Sequence, residues 1–206
     1  MELLLASGNV KKLREVRGLL EPLGVRVVAP SEIGGLPEVI EDQPDFAGNA
    51  RKKAVEAALH TKRWCLADDS GLEVDALDGA PGVRSARFAG EPCDDARNNA
   101  KLLTELAGLS DSQRGARFVC ALALADPQGR VVEVVLGTAQ GRILEHARGT
   151  RDFGYDPLFL FTEEGHAETG RGFAELEPAE KAAVSHRGRA LRALLDLLPA
   201  HLGARH

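Results

Sequence analysis

Ala116-Arg117-Phe118-Val119-Cys120-Ala121-Leu122-Ala123-Leu124-Ala125, then Asp126-Pro127-Gln128-Gly129, then Arg130-Val131-Val132-Glu133-Val134-Val135-Leu136, is the stretch that decides the fold class. Two long runs of apolar residues flank four residues whose Asp, Pro and Gly favour a turn. The stretch reads as two long antiparallel strands joined as a hairpin. Upstream, Glu2-Leu3-Leu4-Leu5-Ala6 reads as a buried strand, and Val10, Leu13, Val16, Leu20 and Leu23 then recur at roughly helical spacing. Gly24-Val25-Arg26-Val27-Val28-Ala29 reads as the next strand, so the chain opens β-α-β. That opening and an antiparallel hairpin together make a mixed α/β fold.

With 206 residues, 44% hydrophobic and 28% charged, the chain suits one large α/β domain or two small lobes with a sizeable core. A formal net charge of -5 argues against a general nucleic-acid binder, whose phosphate contacts need a basic excess. It leaves room for a local basic pocket that takes a small anion. Cys65, Cys93 and Cys120 are scattered with no C-x-x-C pair, as in a reduced, intracellular chain without a zinc site. Leu3-Leu4-Leu5-Ala6 is too short for a signal peptide or a bilayer span, so a cytoplasmic protein without a membrane partner is expected.

Between the first strand and its helix stand Ser7-Gly8-Asn9, with Asn9 as a natural N-cap and Lys11 and Lys12 in the first turn. Free N–H groups, the positive end of the helix dipole and a lysine together can hold phosphate. The Walker A spacing is absent, and a capped helix with a solvated basic face is the plainer reading. Pro30 to Asp45 reads as a long loop whose Glu38, Glu41, Asp42 and Asp45 can each offer a carboxylate to a metal. A helix from about Phe46 to Lys62 carries Asn49, Lys52 and Lys53 towards the strand Trp64-Cys65-Leu66-Ala67.

That strand runs into Asp68-Asp69-Ser70-Gly71. Consecutive strand residues face opposite ways, so both acids reach one pocket only if the chain turns at Ser70-Gly71, which has the chemistry for a turn. The same four residues also suit an ordinary solvated turn. A further helix is expected from about Pro92 to Ala107, with Leu102, Leu103 and Leu106 as its apolar stripe.

Aromatic residues make up only 4% of the chain, so Phe153 and Tyr155 in Gly149-Thr150-Arg151-Asp152-Phe153-Gly154-Tyr155-Asp156-Pro157 stand out. They read either as a platform for a planar base or as a core-anchored turn. Ser185 is placed to cap a last helix that carries Leu191, Leu194, Leu195 and Leu198 and stops at Pro199. His186 and Arg187 fall in its first turn, where the dipole disfavours cations and a ligand would explain them. An anion site with Lys12, the carboxylates Glu41, Asp68 and Asp69, an aromatic loop and the late cations Lys181, His186 and Arg187 describe a magnesium-dependent enzyme acting on a nucleotide. Two hydrogen-bond donors at His186 and Arg187 would favour a carbonyl at purine C6 over an amino group.

The chain resembles the inosine/xanthosine triphosphate pyrophosphatases, the Ham1-like non-canonical purine nucleoside triphosphatases. The matching pieces are Ser7-Gly8-Asn9 with Lys12, Phe46 with Asn49-Ala50 and Lys53-Ala54, and Ala67-Asp68-Asp69-Ser70-Gly71-Leu72 through Gly79-Ala80-Pro81-Gly82 to Ser85-Ala86-Arg87. Phe153-Gly154-Tyr155-Asp156-Pro157, Ala174-Glu175-Leu176, Lys181 and Ser185-His186-Arg187-Gly188 complete them. The resemblance implies one two-lobed domain over residues 1–206, a mixed sheet flanked by helices and an active-site cleft between the lobes, in a homodimer. It implies Mg2+-dependent hydrolysis of ITP, dITP or XTP to the monophosphate and pyrophosphate.

Carried over, Ser7, Gly8, Asn9, Val10, Lys11, Lys12 and Lys53 contact the triphosphate, with Ser70 beside them. Asp69 is the proton acceptor and a metal ligand, with Glu41 and Asp68 as further ligands. Phe153, Gly154, Tyr155 and Asp156 hold base and sugar, while Lys181, His186 and Arg187 read the base edge. Gly48 stands where the family has Glu, and the loop around Glu41 lacks its usual Gly and Thr, so Glu38 and Asp42 are substitutes for Glu41. A Maf-like pyrophosphatase of different base preference and a non-catalytic nucleotide-binding regulator are the alternatives. A haloacid-dehalogenase phosphatase needs Asp-x-Asp where Ser7-Gly8-Asn9 stands.

Overall fold

Three consecutive leucines make β1 (Glu2–Leu5) a strand that is buried on both faces from Leu3 to Leu5. The computed structural model describes residues 2–150 and 154–202. Helix α1 (Val10–Leu20) starts at Asn9, whose Oδ1 accepts the N–H groups of Lys11 and Lys12 at 2.9 and 3.2 Å. It buries Val16 and Leu20, but Val10 and Leu23, expected on its apolar stripe, are 67% and 62% exposed. Val10 is the first residue past the cap, and Leu23 lies beyond the helix in a 3-10 turn, Glu21–Leu23. Gly24 takes the left-handed conformation at φ 80 and leads into β2 (Arg26–Val28), shorter than the expected strand.

After a 3-10 turn at Pro30–Ile33 the chain has no regular element until Asp45. Asp45 accepts the Gly48 N–H at 2.7 Å and so caps α2 (Phe46–Thr61). β3 (Cys65–Val74) then runs unbroken for 10 residues, which corrects the turn expected at Ser70-Gly71. Within a strand of the sheet, the backbone ladder outweighs the local turn preference of Ser and Gly.

Helix α3 (Asp95–Glu105) is capped by Asp94 and buries Asn98 and Leu102; Leu106 is buried just past its end and Leu103 only partly. β4 (Gly115–Ala125) and β5 (Val131–Ile143) form the hairpin, and Asp126 Oδ1 accepts the N–H groups of Gln128 and Arg130 at 3.0 and 2.9 Å across its turn. β5 outruns the expected strand and pairs antiparallel with β6 (Phe159–Phe161) in the register Gly141↔Phe161. A Cβ at Gly141 would stand 2.3 Å from the Leu160 carbonyl oxygen, so this close pairing requires glycine there. α4 (Pro178–Val184) and α5 (His186–Leu202) are separated by Ser185, whose backbone is extended. α5 passes through Pro199 instead of stopping there and runs to Leu202.

The strands form one six-stranded sheet in the order β2-β1-β3-β4-β5-β6, with β1 parallel to β2 and β3. With its helices this is the mixed α/β fold expected from the sequence. The chain divides into two compact units. The first comprises Met1–Asp69, Cys120–Gly137 and Arg187–His206, and its aliphatic core includes Leu3, Leu5, Val16, Leu66, Leu122 and Leu191. The second comprises Ser70–Val119 and Thr138–His186, and its core is built on Phe118, Phe159, Phe161 and Phe173 with Leu72 and Leu102. Among the described residues no helix is long and apolar enough to cross a membrane.

Candidate active site

Asp68 and Asp69 sit side by side in the middle of β3, and strand geometry sends them to opposite faces. On one face Asp68 Oδ1 pairs with Lys12 Nζ, while Oδ2 accepts from Arg187 Nε at 2.9 Å and from the Cys120 thiol at 3.1 Å. Arg187 also pairs with Glu15 of α1. Burial opposes the charge on Asp68, but Arg187 and Lys12 outweigh it and hold this carboxyl well below the usual range. Burial, with Asp68 adding to it, pushes the Cys120 thiol well up, which keeps it a donor.

On the other face α2 supplies the partners. Lys53 Nζ donates to Asp69 Oδ1 at 2.9 Å and to Glu41 Oε1 at 2.7 Å, so one ammonium links two carboxylates. Asn49 Nδ2 donates to Asp69 Oδ2 at 3.2 Å, while Asn49 Oδ1 accepts the Gln43 N–H at 3.0 Å. Burial raises the Asp69 carboxyl above its ordinary value against the pull of Lys53. Burial works against the Lys53 charge, yet Asp69 and Glu41 prevail and hold that ammonium above the usual lysine. Of the acids in the long loop, Glu41 is the one that reaches Lys53; Asp42 pairs with Lys52, and Glu38 is exposed.

A cavity of about 450 Å3 opens beside this group, lined by Ser7, Gly8 and Lys53 together with the apolar Leu36, Val39 and Leu59. The small-residue loop and Lys53 therefore face a common space. Ser7 Oγ accepts the Asn9 N–H at 3.2 Å, Val10 and Lys11 are exposed, and Ser70 is half-buried within β3.

In the second unit Tyr155 is buried and its hydroxyl donates to the Ser85 carbonyl at 2.8 Å. This is the core-anchored arrangement, not an open platform. Asp156, also buried, pairs with Lys181 of α4. His186 stacks on Phe118 at 4.7 Å between ring centroids, 14° from parallel. His186 and Arg187 are neighbours in sequence, but their partners lie in different units. Phe153, expected beside the base, lies outside the described residues.

The donor set bears on the metal. Glu41 and Asp69 offer hard oxygens on either side of the position Lys53 takes, which suits Mg2+, an ion that binds through one or two carboxylates and completes its shell with phosphate and water. Among the described residues no three His, Cys, Asp or Glu side chains gather closely enough to hold an ion by themselves. Asp68, expected as a third ligand, has its two oxygens on Lys12, Arg187 and Cys120. Asn49, Glu15 and Cys120 were not expected at the site. A signal for Asn49 existed, because Asn49 and Lys53 are four apart on one helix face. Glu15 lies three residues beyond Lys12 on α1 and carried the same kind of signal, whereas Cys120 comes from a distant segment and had none.

The Ham1 family model matches residues 3–197. The chain is 50% identical over 198 residues to the dITP/XTP pyrophosphatase of Desulforamulus reducens, covering 96% of each protein. It is similar to a HAM1 protein from Coxiella burnetii, at 39% identity and TM-score 0.85, covering 97% of this chain and 99% of that one. A nucleoside-triphosphatase / dITP/XTP pyrophosphatase from Mycobacterium abscessus is similar at 49% identity and TM-score 0.74, covering 95% and 99%.

Proposed function

The chain belongs to the Ham1 family, and on that premise we propose that it hydrolyses the non-canonical purine nucleoside triphosphates dITP, XTP and ITP to the monophosphate and pyrophosphate. It is a hydrolase acting on an acid anhydride, and it removes these nucleotides from the pool. The observation that carries the reading is Lys53, shared by Asp69 and Glu41 at the edge of the cavity that Ser7 and Gly8 also line.

The triphosphate is held at Ser7 to Lys12, where the helix terminus favours an anion, and by Lys53. Asp69 takes a proton from the water that adds across the α–β anhydride, and one water is consumed as monophosphate and pyrophosphate separate. Asn49 leaves Asp69 little freedom to rotate, which keeps its carboxylate aimed. Glu41 and Asp69 would hold Mg2+, which would supply neutralisation of the charge on the phosphates. Asp68 serves as the counter-ion that fixes Lys12 and Arg187. The loop Gly154 to Asp156, anchored in the core by Tyr155, holds the base and sugar together with Lys181 and His186.

Incubation with Mg2+ and, separately, dITP, XTP, ITP, GTP and ATP tests this. Phosphate should appear only when inorganic pyrophosphatase is added, and with the first three nucleotides far more than with ATP. Phosphate released without the helper enzyme, or equal cleavage of ATP, would overturn it. We propose a homodimer as well, on the resemblance; a monomer mass in light scattering would overturn that.

A further inference from the structure

Asp95 and Asn99 stand one turn apart on α3 and close on a single residue, Gly154. Asp95 Oδ2 accepts the Gly154 N–H at 2.9 Å, and Asn99 Nδ2 donates to the Gly154 carbonyl at 2.9 Å. Gly154 has φ 55, a conformation that residues with a Cβ resist. Among the described residues nothing lies within 4 Å of the place a Cβ would take there. The two hydrogen bonds from α3 fasten both the N–H and the carbonyl of this residue, and so fix the turn that leads into the buried Tyr155.

The helix that makes them is itself fixed. Asn98 Oδ1 accepts the Ala89 N–H at 2.7 Å, Asn98 Nδ2 donates to the Ala86 carbonyl at 2.9 Å, and Leu102 is fully buried. The residues that follow Gly154 belong to the loop proposed to hold the nucleoside, and they anchor it: Tyr155 bonds to Ser85, and Asp156 pairs with Lys181. We infer that Asp95 and Asn99 are positioning residues for the nucleobase, clamping Gly154 so that Tyr155 and Asp156 are set for a 6-oxopurine nucleotide before it arrives. The inference rests on the reading of this loop as the base-holding one. A site ordered in advance does not pay the ordering cost on binding, so loosening it should weaken binding uniformly and raise KM with little change in kcat.

Isosteric exchanges test the clamp. Asn99→Asp keeps the shape but turns an acceptor towards the Gly154 carbonyl, and Asp95→Ala removes the acceptor for its N–H. Each should raise KM for dITP by about tenfold with kcat within about twofold. Asp95→Asn keeps an acceptor and should restore KM to within about twofold of the parent. Unchanged KM in both Asn99→Asp and Asp95→Ala would overturn the inference, as would losses confined to kcat. Amide hydrogen exchange at Gly154 gives a second readout that needs no turnover and no variant to fold perfectly. Slow exchange in the parent that quickens in Asp95→Ala supports the clamp, and unprotected exchange in the parent overturns it. A parent protein that does not cleave dITP would count against the proposed function instead, while the exchange measurement would still judge the clamp.

Discussion

In the first unit Asp68 lies with a fully buried side chain between Lys12, Arg187 and Cys120, whereas in the second Phe118, Phe159 and Phe173 meet with ring centroids 4.6, 4.8 and 5.8 Å apart. Both clusters are central, but their physics differs. Rings buried together gain transfer and dispersion energy roughly with their area. A buried ion group recovers its desolvation cost only while every partner is present, and it contributes geometry more than net stability. The charged cluster is also the one that fixes Lys12 at the start of α1, where position matters. The rings support β6 and the Phe173–Glu175 turn, where filled volume suffices.

The sharpest way to break the comparison is within the charged region itself. Asp69→Asn should lower kcat by about 10²- to 10⁴-fold, the range for a lost general base, with a melting temperature close to the parent's. Asp68→Asn should instead destabilise by about 3–5 kcal/mol in urea unfolding, because it leaves Arg187 buried beside a neutral partner. A stable, inactive Asp68→Asn protein with an active Asp69→Asn counterpart would reverse the two assignments.

Phe173→Ala should cost a similar amount, about 3–5 kcal/mol, by leaving a cavity among the rings. The two regions should part company in double variants. Replacing Asp68 and Arg187 together by Leu and Met should recover part of the loss of Asp68→Asn alone, since the two most deeply buried charges leave together and only the more exposed Lys12 and Glu15 lose a partner. Adding Phe159→Ala to Phe173→Ala should deepen the loss. If the ionic double variant is the worse of its set, the cluster stabilises more than buried ion pairs ordinarily do.

A smaller effect is expected at Tyr155, the single tyrosine of the chain. Burial, with the Asp95 charge adding to it, raises its phenol above the ordinary value of 10.0. The native state thus favours the protonated form. The stability this gives is whole below about pH 10, where the unfolded phenol is also protonated, and declines as pH rises past it. Phenolate absorbance should accordingly appear only as the protein unfolds in alkali, and Tyr155→Phe should flatten that alkaline decline. At neutral pH the same variant should cost about 1 kcal/mol for the lost bond to Ser85. Phenolate forming in the folded protein near pH 10 would show that Tyr155 is not locked in the core.

Much of this was legible where the cause is local. The Asn9 cap, the turn at Asp126 and the stop of α2 near Lys62 follow from residues within a few positions of the event. Legibility failed where a distant segment decided. Ser70-Gly71 has turn chemistry but lies inside a long strand of the sheet, and Leu23 continues a helical spacing that the chain has already left. Within the site, Glu41 could be marked as one acid among several in its loop; that it, and not Asp42, meets Lys53 came from the fold.

The sequence by itself determined the mixed α/β character, the β-α-β opening, the central hairpin and the residue types able to bind phosphate, because periodicity, caps and turns act over short range. Only the tertiary structure decided what two adjacent, identical aspartates do. Pleating turns them to opposite faces, and what covers each face comes from far along the chain. Asp68 meets Lys12 and Arg187, 56 and 119 residues away, while Asp69 meets Asn49 and Lys53 from one helix. One carboxylate is thereby held charged and enclosed, and the other is pushed above its ordinary value by burial while it bonds to Lys53, which lines the cavity. No local rule separates them, because the difference lies in their neighbours.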